Sequence, residues 1–228
     1  VGDQERCGCL KKINKSEGEI SFYDYMDMVL YDPFNGYYGS GKANIGIKGD
    51  YVTSPSLSPD FADLLALQIE DWYSQLAKEL PAFQKIEILE FGSGNGSLIT
   101  GIIKYFQSSR SLILKNLSFK IIDFNEGMRK KQKENLIKYI NDGIDIAWIS
   151  LEDLKNNSFD GIVIAHEVLD AFPVERIEFA KGKLYRQGVS IKNKTKKLAF
   201  SKLPMTEYLK DFIKNAKTEN GVEIVPKD

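Results

Sequence analysis

The sequence predicts an α/β fold built on a parallel, doubly wound sheet, and two observations carry that prediction. From Lys85 onward, short apolar runs alternate with helix-like patterns: "KIEILEF", "SLITGIIKYF", "LSFKIIDF", a long polar helix from about Glu126 to Ile140 started by Asn125, "DIAWIS" and "FDGIVIAHEV". Between the first run and the first of these helices stands "GSGNG", with glycines at 92, 94 and 96. A chain of 228 residues, 43% hydrophobic and 28% charged, has enough apolar material for a sizeable core.

The remaining elements follow in order. Residues 1–18 are polar. "ISFYDYMDMVL" places Phe22, Met26 and Val29 at helical spacing, with Ser21 as N-cap. The next stretch, from Tyr31 to Pro59, is rich in Gly, Pro, Asn and Ser and lacks periodicity. Its aromatics (Tyr31, Phe34, Tyr37, Tyr38, Tyr51) argue against disorder, so it reads as an ordered functional loop. Ser58-Pro59-Asp60 starts a helix expected to run to about Leu80, with Trp72 and the Leu64, Leu65 and Leu67 group on its buried face. Between the third and fourth strands the helix shrinks to "LEDLKN". Alternation over about residues 176–203 predicts an antiparallel insertion, and "MTEYLKDFIKNA" a final helix.

Composition excludes several classes. The net charge of −1 offers no basic field for nucleic acid or an anionic membrane, and "RKKQKENLIK" and "KNKTKK" read as solvated faces. No apolar run approaches the ~20 residues that span a bilayer. "VGDQERCGCL" shows no apolar signal region. Cys7 and Cys9, close together near a terminus, suggest neither a disulfide framework nor a zinc site, and a reducing compartment is expected.

The glycine turn poses the question of chemistry, and the residues around it bear on the answer. In open α/β sheets ligands sit beyond the carboxyl ends of the strands, where a glycine turn lets the backbone approach closely. A dinucleotide fingerprint would need its third glycine where Ser97 stands, and a P-loop would need a lysine that is absent. Glu90 through Gly96 fit E-x-G-x-G-x-G, the first motif of class I S-adenosylmethionine-dependent methyltransferases. A tight turn without a ligand is the plain alternative. Asp123 closes the second strand, where a carboxylate can accept from both ribose hydroxyls. Asp153 is a candidate for the adenine amino group, and Glu90 for a cofactor ammonium. After the fourth strand, Glu167 and Asp170 form an acid pair suited to a guanidinium. His166, the one histidine, is a candidate base or a hydrogen-bonded structural residue.

Several separated stretches resemble the MidA-like family of these methyltransferases, which includes a mitochondrial complex I assembly factor that methylates a protein arginine. They are "ISFYDYMDMVLYDPFNGYY", "GDYVTSPSLSPDFADLLA", "ILEFGSGNGSL", "IIDF" and "AHEVLDAFPV". The resemblance implies a Rossmann-like methyltransferase sheet with S-adenosyl-L-methionine as cofactor. It implies cofactor contacts from Gly49, Asp50, Thr53, Pro55, Glu90, Gly92, Gly94 and Asp123, under a covering loop, and substrate-side roles for Glu167, Asp170 and Pro173; Ser93 and Gly96 of the same turn are further cofactor candidates. Ser56 stands where the family usually has Glu. Family members are longer, so the sheet is expected to be incomplete at the C-terminus, with exposed edges that invite a homodimer.

The expected organisation is an N-terminal helical segment and cofactor-covering loop over 1–82, then the methyltransferase domain over 83–228. The expected function is methyl transfer to an arginine of a protein partner, such as a respiratory-complex subunit. Methylation of a small molecule and a truncated, non-catalytic assembly module are the alternatives, with a nicotinamide enzyme more distant. The Lys-, Ile- and Asn-rich composition and lack of an Arg-rich presequence favour a prokaryotic cytoplasm over a mitochondrial matrix.

Overall fold

The computed structural model describes residues 12–16, 18–46, 48–54, 58–81, 84–156, 159–192 and 197–220. Cys7, Cys9, Pro55 and Ser56 lie outside the described residues. The chain divides into two compact units, residues 37–171 and residues 1–36 with 172–228.

The unit over 37–171 carries the parallel sheet. Its strands are β2 (Ile86–Phe91), β3 (Leu117–Ile122), β4 (Ile146–Trp148) and β5 (Gly161–Ile164), ordered β4-β3-β2-β5. The other unit holds an antiparallel sheet in which β7 (Lys183–Lys192) pairs β1 (Glu19–Ser21), β6 (Ile177–Ala180) and β8 (Lys197–Leu203). The insertion expected near 176–203 is therefore present. The part played by β1 was not legible, because three residues are too short for a periodic signal.

In the parallel sheet β2 pairs β3 from Ile86↔Leu117 to Phe91↔Ile122, and β5 from Glu87↔Gly161 to Glu90↔Ile164. The crossovers are α3 (Ser97–Ser108), α4 (Glu126–Asn141) and α5 (Leu151–Asn156). Ile88, Ile99, Ile102, Ile103, Phe106 and Phe119 are fully buried between sheet and helices. Each such side chain contributes about 1.5–3 kcal/mol over leaving it exposed.

Helix α1 (Phe22–Tyr31) starts as expected, with the Ser21 hydroxyl accepting from the Asp24 amide at 3.0 Å. Helix α2 (Asp60–Leu76) ends before Leu80, and its buried face differs from the expectation. Leu64, Leu67 and Trp72 are exposed, and only Leu65 of the expected set packs on the core. Ala62, Ala66 and Ile69 point inward instead. Small residues win because α2 meets α3 at a glycine: a Cβ on Gly101 would lie 2.5 Å from that of Ala62. α6 (Glu207–Asn220) closes the described chain.

The loop after Gly36 lies against the start of α4. A Cβ on Gly127 would meet the Gly41 amide nitrogen at 2.4 Å, and Lys131 Nζ donates to the Ala43 carbonyl at 2.6 Å. Backbone cannot yield as a flexible side chain can. Gly127→Ala is therefore expected to lower the unfolding free energy by about 1–3 kcal/mol. A urea-denaturation midpoint equal to that of the parent protein would contradict this packing.

Candidate active site

Strand order reverses at β2, which has β3 on one side and β5, reached last, on the other. The glycine turn leaves the carboxyl end of β2 at that reversal. Gly92, Gly94 and Gly96 have φ of 60°, 54° and 82°, in the left-handed region that side chains disfavour. A Cβ on Gly92 would meet Val168 Cγ2 at 2.5 Å, and one on Gly94 would meet Ile45 Cδ1 at 3.1 Å. The turn is thus enclosed by the chain after β5 and by the loop over 37–51. Gly96 is the N-cap of α3 without a side-chain cap, and the Ser97 amide donates to Asn95 Oδ1 at 3.1 Å.

Glu90 ends the buried part of β2 and is 4% exposed. The Ser93 hydroxyl donates to its Oε2. No ion pair engages it among the described residues. Burial, with a smaller push from Asp123, raises its carboxyl from 4.5 to about 7.

Asp123, half-buried just past β3, is also pushed up by burial, against the opposing effect of its hydrogen bonds. Its Oδ1 accepts from the Asn125 amide at 2.8 Å and from Asn125 Nδ2 at 3.1 Å. Asn125 is the N-cap of α4 by position, but its side chain serves Asp123 rather than the helix. Asp123 Oδ2 accepts from Gln132 Nε2 at 2.7 Å. A carboxylate has about four lone-pair sites, so one on Oδ2 stays open to a ligand. Gln132, fully buried, also donates to the Gly94 carbonyl at 2.9 Å and accepts from Trp148 Nε1 at 2.8 Å. Sequence reading missed it, taking α4 as a polar helix. The signal was its spacing: Met128, Gln132, Leu136 and Tyr139 form the buried stripe of α4, and Gln132 is the polar member.

The covering loop is ordered by polar contacts. The Tyr37 hydroxyl donates to Asp50 Oδ2 at 2.7 Å, and the Asn44 amide donates to the same oxygen at 3.2 Å. Burial, then this bond, pushes the Tyr37 phenol up to about 12. The Tyr38 and Tyr51 hydroxyls lie 3.4 Å apart, and burial raises Tyr51 further still, with Asp170 among the charges adding to the shift. Gly49 sits in the tight turn whose amide donates to the Gly46 carbonyl at 2.7 Å. Thr53 is half-buried two residues past the bridge from Ile45 to Tyr51.

After β5 the chain turns through His166, Glu167 and the short 3-10 helix Leu169–Ala171. The His166 ring packs on Phe61, with centroids 4.9 Å apart. Glu167 is exposed with φ 49°, a conformation costly for a non-glycine residue. Asp170 is exposed, and Pro173 is half-buried. Asp153 shares a capping box with Ser150: its Oδ2 accepts from the Ser150 amide at 2.7 Å and hydroxyl at 2.8 Å, and its own amide donates back to Ser150 Oγ at 3.2 Å. Those bonds hold its carboxyl below the usual range.

The structure thus gathers Glu90, Ser93, the three glycines and Asp123, and lays the loop over 37–51 on them. Among the described residues, no cluster of three or more His, Cys, Asp and Glu is arranged to hold a metal ion, and no helix is long and apolar enough to cross a membrane.

The buried acid gives a pH signature. Glu90 has its ordinary value in the unfolded chain and about 7 in the fold, so its contribution to stability is full below about pH 4.5 and is lost as pH rises through 7. Glu90→Gln is expected to remove up to about 3 kcal/mol of that decline. Urea midpoints of the two proteins at pH 5 and pH 8 measure it; parallel declines would contradict the buried, unpaired state of Glu90.

The site suits a ligand that brings a cation to Glu90, a hydroxyl to Asp123 and a chain segment close to the glycine backbone. Residues 64–228 match the model of a family described as "Putative S-adenosyl-L-methionine-dependent methyltransferase". The mitochondrial protein arginine methyltransferase NDUFAF7 of Bos taurus is 30% identical over 235 residues, covering 93% of this chain and 51% of the relative. The Homo sapiens protein gives the same figures. A Burkholderia thailandensis protein crystallised with S-adenosyl-homocysteine bound superposes with a TM-score of 0.71 at 28% identity, over 90% of this chain and 51% of that one. A second crystal structure from that organism gives a TM-score of 0.70 at 26% identity, over 98% of this chain and 53% of the other. The chain spans about half the length of the curated relatives it matches. It belongs to the MidA-like family of S-adenosyl-L-methionine-dependent methyltransferases, with S-adenosyl-L-methionine as its cofactor.

Proposed function

We propose that this chain acts as a methyltransferase on an arginine side chain of a protein partner, in the service of respiratory complex I assembly. The observation that carries the reading is the junction at the end of β2, where the left-handed glycines, buried Glu90 and Asp123 meet under one loop. The mitochondrial relatives, named as protein arginine methyltransferases, support arginine as the acceptor.

When bound, S-adenosyl-L-methionine supplies an electrophilic methyl group on a sulfonium. Glu90 supplies the buried negative charge that its cationic end needs. Asp123 takes a ribose hydroxyl on its open Oδ2 site, and a second hydroxyl would displace the longer Asn125 Nδ2 bond. Gly92 and Gly94 keep the turn in its left-handed path, with Val168 and Ile45 packed where a Cβ would stand, and Ser93 orients Glu90. Gly49, Asp50 and Thr53 belong to the covering segment that excludes water. Glu167 and Asp170 hold the guanidinium and direct one nitrogen, and His166 or one of these acids takes the proton lost on methylation. Asp153, held by Ser150 through Oδ2, takes the adenine amino group on its other oxygen.

Calorimetric titration with S-adenosyl-L-methionine tests the reading directly. Saturable binding, weakened by about 1–3 kcal/mol in Asp123→Ala, is expected; a folded chain that does not bind would sink it. The cation lowers the Glu90 pKa on binding, so affinity should rise up to about tenfold from pH 6 to pH 8, with proton release at pH 7. Glu167→Gln and Asp170→Asn should each cut methylation of an arginine-bearing partner by about a hundredfold or more while cofactor affinity holds. Cofactor binding without turnover on any such partner would favour a non-catalytic assembly role.

A further inference from the structure

We propose that Gln132 is the positioning residue of the cofactor's ribose site, coupling the Asp123 carboxylate to the glycine turn. The proposal rests on the reading of Asp123 as the ribose acid. Gln132 lies mid-helix in α4 with no exposed surface, and the oxygen and both N–H groups of its amide are engaged. Its Oε1 accepts from Trp148 Nε1 at 2.8 Å. An indole N–H can only donate, so this contact forces the amide's NH2 to face the other way. The two N–H groups go to Asp123 Oδ2 at 2.7 Å and to the Gly94 carbonyl at 2.9 Å.

Three elements are thereby tied together: β4 through Trp148, the chain after β3 through Asp123, and the turn after β2 through Gly94. The consequence for binding is specific. Asn125 occupies Oδ1, so the open acceptor site of Asp123 is on Oδ2, and the direction of that lone pair is set by the Gln132 bond beside it. The same amide holds the peptide that ends at Gly94, so carboxylate and turn move as one. A hydrophobic residue here would fill the stripe equally well between Met128 and Leu136, but would leave a carboxylate, a carbonyl and an indole N–H without this partner.

Competition between S-adenosylhomocysteine and an analogue lacking the ribose hydroxyls tests the inference, because it reads the direction of the carboxylate rather than the strength of the fold. The parent protein should prefer the hydroxylated ligand by about tenfold or more, the usual worth of a charge-assisted hydrogen bond. Gln132→Met should shrink that preference to about threefold or less, and so should Gln132→Asn, which keeps an amide in the core but withdraws it from Asp123. Either variant, folded by its thermal transition and retaining the parent's preference, would overturn the proposal. Failure of both to fold would assign Gln132 to the fold alone and also overturn it. A parent protein that binds neither ligand would instead refute the cofactor reading beneath it.

Discussion

Parallel strands cannot be joined by a hairpin, so each return in this sheet requires a crossover. The arrangement of the site follows from that constraint. β2, β3 and β4 step outward in one direction, and the chain then comes back past its starting point to set β5 against the free side of β2. The connections on the two sides of β2 therefore leave in opposite directions, opening a crevice at the carboxyl end of that strand. Glu90 and the glycines, Asp123, and the turn over 166–170 come together because each lies at or just past the end of a strand that finishes there.

That gathering creates an electrostatic problem. Glu90 is a buried acid that feels the negative charge of the half-buried Asp123 beside it. They are satisfied unequally. Asp123 has three donated hydrogen bonds, from Asn125 and Gln132, whereas Glu90 has one hydroxyl. Glu90 is accordingly the group displaced furthest toward neutrality, and the one most sensitive to an incoming cation. A sulfonium cofactor with an ammonium group brings the charge that this corner lacks. The protein's folding stability and its ligand affinity thus depend on the same carboxyl, with opposite trends in pH.

The loop over 37–51 is held by a different kind of interaction. Gly41 and Gly127 let two backbones touch, Lys131 ties Ala43 to α4, and Ile45 closes over Gly94. Tyr37, Tyr38 and Tyr51 fill the loop with rings whose hydroxyls are shared with Asp50 and with one another. Burial keeps Tyr37 and Tyr51 in the phenol form, so they act as donors and walls rather than bases.

Much of this was legible in the sequence. The alternating runs located β2, β3, β4 and β5, the glycine spacing located the turn, and "IID" placed an acid at a strand end, because strand alternation and left-handed glycines are local properties. "LEDLKN" was read as a short helix, and its Ser150–Asp153 cap could have been recognised from spacing alone. The packed structure decided which face of α2 turns inward. Leu64, Leu67 and Trp72 are the more apolar choice, but the close approach of α2 to Gly101 demands a small residue at Ala62, which turns Ala66 and Ile69 inward with it. It also decided the role of Gln132, a polar residue between two lysines whose partners lie 9, 16 and 38 residues away. Local sequence specifies backbone conformation and period; which groups satisfy one another across such separations is set only when the crossovers bring strand ends together.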